Sequence, residues 1–216
     1  MAQTSARREP LILLGIDPGL ANTGWGVVEK RGHAYHALAY GCVTTPSNME
    51  VTARLKTIFD DISEVIEHYN PTELGIEAVY FGVNTKSAFA TGQARGAALI
   101  ACATGHLVVG EYTPMQIKQA VVGTGTADKD QVAYMVQALL NLDHKPRPDH
   151  ASDALAAAIC QGNMHLYNSL QTASTNGDCA ASNKRDESKR AATVTGTHAG
   201  QDIPSRQRSM VGKDGR

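Results

Sequence analysis

Residues 11–16 (LILLGI) are apolar, end in a lone carboxylate at Asp17, and are followed at once by Pro18 and Gly19. A short apolar run closed by a turn dipeptide reads as a buried strand. Asp17 then stands at the end of a central strand, where an unpaired carboxylate costs roughly several kcal/mol. Either a cation or the turn amides of Gly19 and Leu20 must meet it. A second short run, Leu74, Gly75 and Ile76, ends the same way in Glu77. Between the two, residues 51–69 carry Leu55, Ile58, Phe59, Ile62, Val65, Ile66 and Tyr69 at helical spacing, with Pro71 ending the pattern. A strand that follows such a helix is reached by a crossover and lies parallel to the first, which brings Glu77 to the same sheet edge as Asp17.

The remaining pattern fills in an α/β chain. Residues 25–29 and 35–43, joined around Arg31, Gly32 and His33, read as strands that complete an antiparallel three-strand meander with the first. Residues 84–104 read as a helix rich in Ala and Gly, whose thin polar face predicts cover from both the sheet and a second subunit. A fifth strand at 107–112 and helices at 114–122, 128–142 and 149–163 follow. The expected fold is a five-stranded mixed sheet, a meander plus two parallel strands, flanked by helices. Residues 1–10 read as a flexible extension, 11–165 as the folded domain and 166–216 as a disordered tail of Ser, Thr, Asn, Gly and charged residues that cannot offset chain entropy.

Charge and cysteine content narrow the classes. Eight of the 20 Lys and Arg and five of the 21 Asp and Glu lie from residue 166 onward, so the rest of the chain, with 12 and 16, is acidic while the tail is mildly basic. That balance argues against a broad non-specific DNA surface and allows an acidic site neutralised by metal ions. Four cysteines without metal-type spacing point to packing thiols in a cytoplasmic protein, and no run has the length of a membrane span.

The last helix supplies His150 and Asp153 at i, i+3 and Asp149 and Asp153 at i, i+4. With Asp17 and Glu77 they form an oxygen-dominated set with one imidazole, suited to Mg²⁺ or Mn²⁺. Two such ions about 4 Å apart activate water and stabilise the leaving oxygen in phosphodiester cleavage. Asp149, directly after Pro148, reads as a helix N-cap in preference to a ligand.

These motifs resemble the RuvC family of Holliday junction endonucleases, which have a ribonuclease H-like fold. The likeness is carried by Gly15 to Gly19, Glu77 with an aromatic following, the Gly92 to Gly96 motif that contains Arg95, Gln116 to Gly123 and Asp153 to Ala156. The resemblance implies that Asp17, Glu77, His150 and Asp153 are catalytic residues holding two Mg²⁺ per subunit, with Mn²⁺ also active. It implies that Tyr80 is an aromatic wedge with Phe81 beside it, and that Arg95, Lys118 and Lys129 meet DNA. It further implies a homodimer that nicks a four-way junction symmetrically, leaving 5′-phosphate and 3′-hydroxyl ends, in recombination and repair. Its partners would be a junction-binding platform and a branch-migration motor. Two alternatives are a non-cleaving junction-binding relative and an actin-like ATPase, suggested by the Asp-Pro-Gly strand end and the Gly-Thr-Gly-Thr loop at 123–126.

Overall fold

The computed structural model describes residues 10–78 and 85–182, with side chains left undescribed at 85, 86 and from 166 onward. The chain divides into two units, Met1–Gln171 and Thr172–Arg216. Of the second, only a helical stretch ending at Ser182 is described. Tyr80, Phe81 and residues 183–216 lie outside the described residues.

The meander is formed by β1 (Leu11–Asp17), β2 (Asn22–Arg31) and β3 (Ala34–Thr44), paired antiparallel. Helix α1 (Val51–Tyr69) ends where Asn70 turns left-handed at φ 50° and its N–H bonds the Ile66 carbonyl, the terminus that Pro71 then enforces. The chain crosses to β4 (Glu73–Glu77), parallel to β1, then through α2 (Thr85–Thr104) to β5 (Val108–Tyr112), parallel to β4. Helices α3 (Pro114–Val122), α4 (Lys129–Leu139) and α5 (Asp149–Ser182) complete the order. The sheet order is β3-β2-β1-β4-β5.

Reciprocal caps open the two short helices, Thr113 with Gln116 and Asp128 with Gln131, each pair satisfying two otherwise orphaned N–H groups. Helix α4 stops three residues short of the expected 142, because Asn141 turns left-handed and Leu142 N–H closes onto the Gln137 carbonyl. Helix α5 continues well past the expected end at residue 163. No proline interrupts 149–182, and Leu and Ala, as at 166, 170 and 173, have high intrinsic helix propensity.

The strands alternate between two cores. Leu14, Ile16, Leu74 and Ile76 face Ile58, Ile62, Ala94 and Ala98 of α1 and α2, all fully buried; each such large side chain contributes about 1.5–3 kcal/mol. The opposite face carries Leu13 toward Leu155 and Ile159 of α5. On that face Gly26, Gly15, Gly75 and Gly110 are register partners across β2, β1, β4 and β5. Helix α5 lies directly on this glycine row. A Cβ at Gly15 would sit 1.9 Å from the Ala154 carbonyl oxygen, one at Gly75 2.3 Å from that of Ala157, and one at Gly110 1.9 Å from Gln161 Oε1. The helix therefore advances three or four residues per strand, about 5 Å, which matches the strand spacing of about 4.8 Å and means that it crosses the strands rather than following them. At the β5 end of the row the helix is held by Tyr112 Oη donating to Gln161 Oε1 at 2.6 Å and Gln161 Nε2 donating to Glu73 Oε2 at 2.7 Å.

Candidate active site

Side chains two residues apart on a strand share a face, so Asp17 and Glu77 point to the same side as Gly15 and Gly75, one step beyond the ledge on which α5 rests. The parallel register that pairs Ile16 with Ile76 sets the two carboxylates on neighbouring strand ends. Gly24, the register partner of Asp17, lies under the start of α5, where a Cβ would be 2.0 Å from the His150 carbonyl oxygen. This close landing delivers His150 to Asp17, with Nδ1 and Oδ2 2.7 Å apart. The carboxylate is thus met by an imidazole, and no hydrogen bond from the Gly19 or Leu20 amide to it is present among the described residues.

Asp153, one turn further along α5, lies with Glu77 in the wall of a cavity of about 270 Å³ that Lys118 and Lys129 also line. Burial raises the Glu77 carboxyl above its ordinary range, and the charges of Asp17 and Asp153 raise it further against the opposing effect of Lys118. Asp153 is also raised, by burial and by Asp17, although Lys129 and His150 act the other way. Lys129 Nζ stands 3.2 Å from Asp153 and 3.5 Å from Asp149. Burial lowers the affinity of Lys129 for its proton, but these two carboxylates outweigh it. Asp149 is the first residue of α5 and its exposed carboxylate faces Lys129; no capping hydrogen bond from it is present among the described residues.

The structure brings Asp17, Glu77, His150, Asp153, Lys118 and Lys129 to one sheet edge. Arg95 is placed elsewhere in its contacts, in an ion pair with Glu111 of β5 at 2.6 Å, with a largely buried guanidinium. Among the described residues no three acidic, imidazole or thiol groups surround a single point in ligating geometry; Asp17 is engaged by His150 and Asp153 by Lys129. The donor set nevertheless fits a hard dication. Burial, and after it the neighbouring acids, raise the proton affinity of Glu77 and Asp153 at this edge, and a divalent ion would neutralise that charge once Lys129 turns away.

A mixed sheet of this order, with acids at the ends of two adjacent parallel strands and a helix delivering another, defines the ribonuclease H-like class. The structure is similar to that of Thermus thermophilus RuvC in complex with a Holliday junction substrate, with TM-score 0.67 and 36% identity over 69% of this chain and 92% of that one. The fold alone is shared with the yeast mitochondrial Holliday junction resolvase, at TM-score 0.54 and 10% identity. Residues 13–161 match the family model of crossover junction endodeoxyribonuclease RuvC. Proteins of that name from Halothermothrix orenii and Moorella thermoacetica are 47% and 49% identical, over 73% and 71% of this chain and 96% and 92% of their own lengths. The chain belongs to the RuvC family.

Proposed function

We propose that this protein is a metal-dependent endonuclease that resolves four-way DNA junctions by paired, symmetric nicks, leaving 5′-phosphate and 3′-hydroxyl ends, in recombination and DNA repair. The observation that carries the reading is the meeting of Asp17, Glu77 and Asp153 at one edge with Lys118 and Lys129 beside them. A junction-bound relative and close family members support the substrate. The retained acids speak against a non-cleaving relative. An actin-like ATPase needs two such domains around its nucleotide, and only one is present in the described residues.

Asp17, Glu77, Asp153 and His150 would hold the ions. Bound there, Mg²⁺ or Mn²⁺ supplies an activated water and charge neutralisation at the leaving oxygen. The chain's own groups do the rest. Lys118, next to Glu77, and Lys129, turning from Asp153 to the strand, hold the phosphate that the acids would otherwise repel. Water attacks phosphorus, the bond to the 3′-oxygen breaks, and that oxygen departs with a proton. A labelled synthetic junction and a linear duplex, each incubated with Mg²⁺, Mn²⁺ or chelator, test this. Cleavage of the junction alone, lost with chelator, is expected; ion-independent cutting or equal cutting of the duplex would refute it.

His150 is expected to act as an ion ligand. His150→Asp should retain appreciable nicking, since it keeps a ligand atom near Asp17, and should depend less on Mn²⁺ relative to Mg²⁺, because imidazole suits Mn²⁺ better. His150→Ala should lose most activity. Single-turnover nicking in each metal measures this, and full activity of His150→Ala would leave His150 only a residue of the first helical turn.

Two nicks of like polarity need two active sites, and α2 presents a face for a second copy. Phe89, Gly92, Gly96 and Ile100 recur on one side; Phe89 and Ile100 are 66% and 62% exposed, and a Cβ at either glycine would meet nothing within 4 Å. Glycines one turn apart let a second helix approach closely. Ile100→Glu is therefore expected to shift the protein from dimer to monomer in light scattering and to uncouple the two nicks. A stable dimer carrying this change would refute the α2 interface. A junction-binding platform and a branch-migration motor, in the cytoplasm, complete the proposed setting. Among the described residues no helix is long and apolar enough to cross a membrane.

A further inference from the structure

Helix α1 buries a cation that the site described so far does not use. Arg54 is only 9% exposed, and among the described residues no carboxylate pairs with it. One edge of its guanidinium is committed, with Nε donating to Thr45 Oγ1 at 2.9 Å and Nη2 to the Thr45 carbonyl at 3.2 Å. Thr45 in turn holds the turn that follows Asp17. Its hydroxyl donates to the Leu20 carbonyl and its N–H to that of Ala21 at 3.0 Å, while Thr23 Oγ1 donates to that of Gly19 at 2.8 Å. A brace of this kind needs donors only, and a neutral amide would supply them without the several kcal/mol, roughly, of burying an unpaired charge.

The charge has somewhere to act. Nη1 of Arg54 has no protein partner among the described residues, and Arg54 lines a cavity of about 350 Å³ whose wall, among the described residues, includes Gly19, Asn22, Thr91 and His150 and no carboxylate. His150 in that wall is the residue bonded to Asp17. The acid edge is thus flanked on one side by the cavity with Lys118 and Lys129 and on the other by the cavity with Arg54. A polyanionic strand crossing an edge of three carboxylates needs cations both before and after it, and a guanidinium with a free edge suits a phosphate oxygen.

We infer that Arg54 is a phosphate-binding residue, which receives through the cavity beside His150 the backbone phosphate that flanks the scissile one on the cut strand. The inference rests on the proposed junction nuclease function and adds to it a second phosphate subsite.

The test is junction binding in chelator against salt concentration for the wild type, Arg54→Gln and Arg54→Lys, with Lys56→Gln on the exposed side of α1 as control. Glutamine can keep a bond to Thr45 but brings no charge. Its slope of log affinity on log salt is expected to be shallower by about 0.9 for each phosphate no longer neutralised, hence roughly twice that for a dimer. Lysine should retain most of the slope, and the control all of it. In parallel, junctions carrying single neutral methylphosphonate linkages around the cut site should weaken wild-type binding at one flanking linkage and leave Arg54→Gln no weaker than before at that linkage, the non-additivity expected when residue and phosphate act on each other. An unchanged slope in Arg54→Gln, additive losses at every linkage, or a variant that only melts earlier would overturn the subsite. If the substitutions prevent folding, the wild-type linkage scan decides alone, and no sensitive flanking linkage would overturn it. Wild-type protein that does not prefer the junction to linear duplex would instead refute the proposed function.

Discussion

Glu77→Gln is expected to lower junction nicking by more than about 100-fold, the upper loss typical of groups that merely support a metal ligand, and at the same time to raise the melting temperature of the ion-free protein. Both follow from the same charge. Glu77 is half-buried with Asp17 and Asp153 acting on it, and its carboxyl is raised by that burial and repulsion. A raised acid binds its proton more tightly in the folded chain than in the unfolded one. The stability that Glu77 and Asp153 contribute is therefore full below the ordinary carboxylate range of about 4 and is lost as pH rises through their raised native values. Wild type should accordingly gain more from Mg²⁺ or Mn²⁺ at neutral pH than at pH 5, by up to about 2.7 kcal/mol at an ion concentration of 100 times its dissociation constant. The glutamine variant should gain little at either pH while still binding junctions. Thermal melts with and without metal, beside single-turnover nicking, measure all of this. A variant that nicks, or that melts earlier without ions, would refute the assignment of Glu77 as a ligand held in a repulsive site.

Gly15→Ala should be among the most damaging single-methyl changes available to this chain. The new Cβ would stand 1.9 Å from the Ala154 carbonyl oxygen and 2.7 Å from the Ala158 nitrogen, both backbone atoms of α5 that cannot rotate aside. Overpacking of a core side chain costs about 1–3 kcal/mol, and lifting a whole helix sets this change at or above the top of that range. At about 2–4 °C per kcal/mol for a domain of this size, the melting temperature should fall by roughly 10 °C. Nicking should fall with it even where the fold survives, because α5 carries His150 and Asp153 to the acids of β1 and β4. Gly75→Ala should behave alike, with its Cβ 2.3 Å from the Ala157 oxygen. Calorimetry and nicking at a temperature below both melts test this. A variant that melts within a degree or two of wild type would show that α5 does not rest on the row.

Several features of the site were legible because they depend on local rules. Two apolar runs that each end in an acid, with an amphipathic helix between them, require a parallel pair and place Asp17 and Glu77 on neighbouring strand ends. Helical spacing sets His150 and Asp153 on one turn. The end of α1 follows from Pro71. The long course of α5 was not legible, because the absence of an apolar face says that a segment has nothing to bury and not that it lacks helix.

What the sequence by itself determined is the order and polarity of the strands and the identity of the acids, since periodicity, turn residues and crossover handedness act within a few tens of residues. The glycine row was present in it as four scattered letters at 15, 26, 75 and 110, and only strand register makes them neighbours. Tertiary structure alone decided that α5 crosses the sheet there, that Asp17 is met by His150 and Asp153 by Lys129, and that the guanidinium of Arg54 lines a cavity beside them. Each of these is a contact between side chains or backbones far apart in the chain, and its geometry is set by how closely two surfaces can approach, which no local pattern encodes.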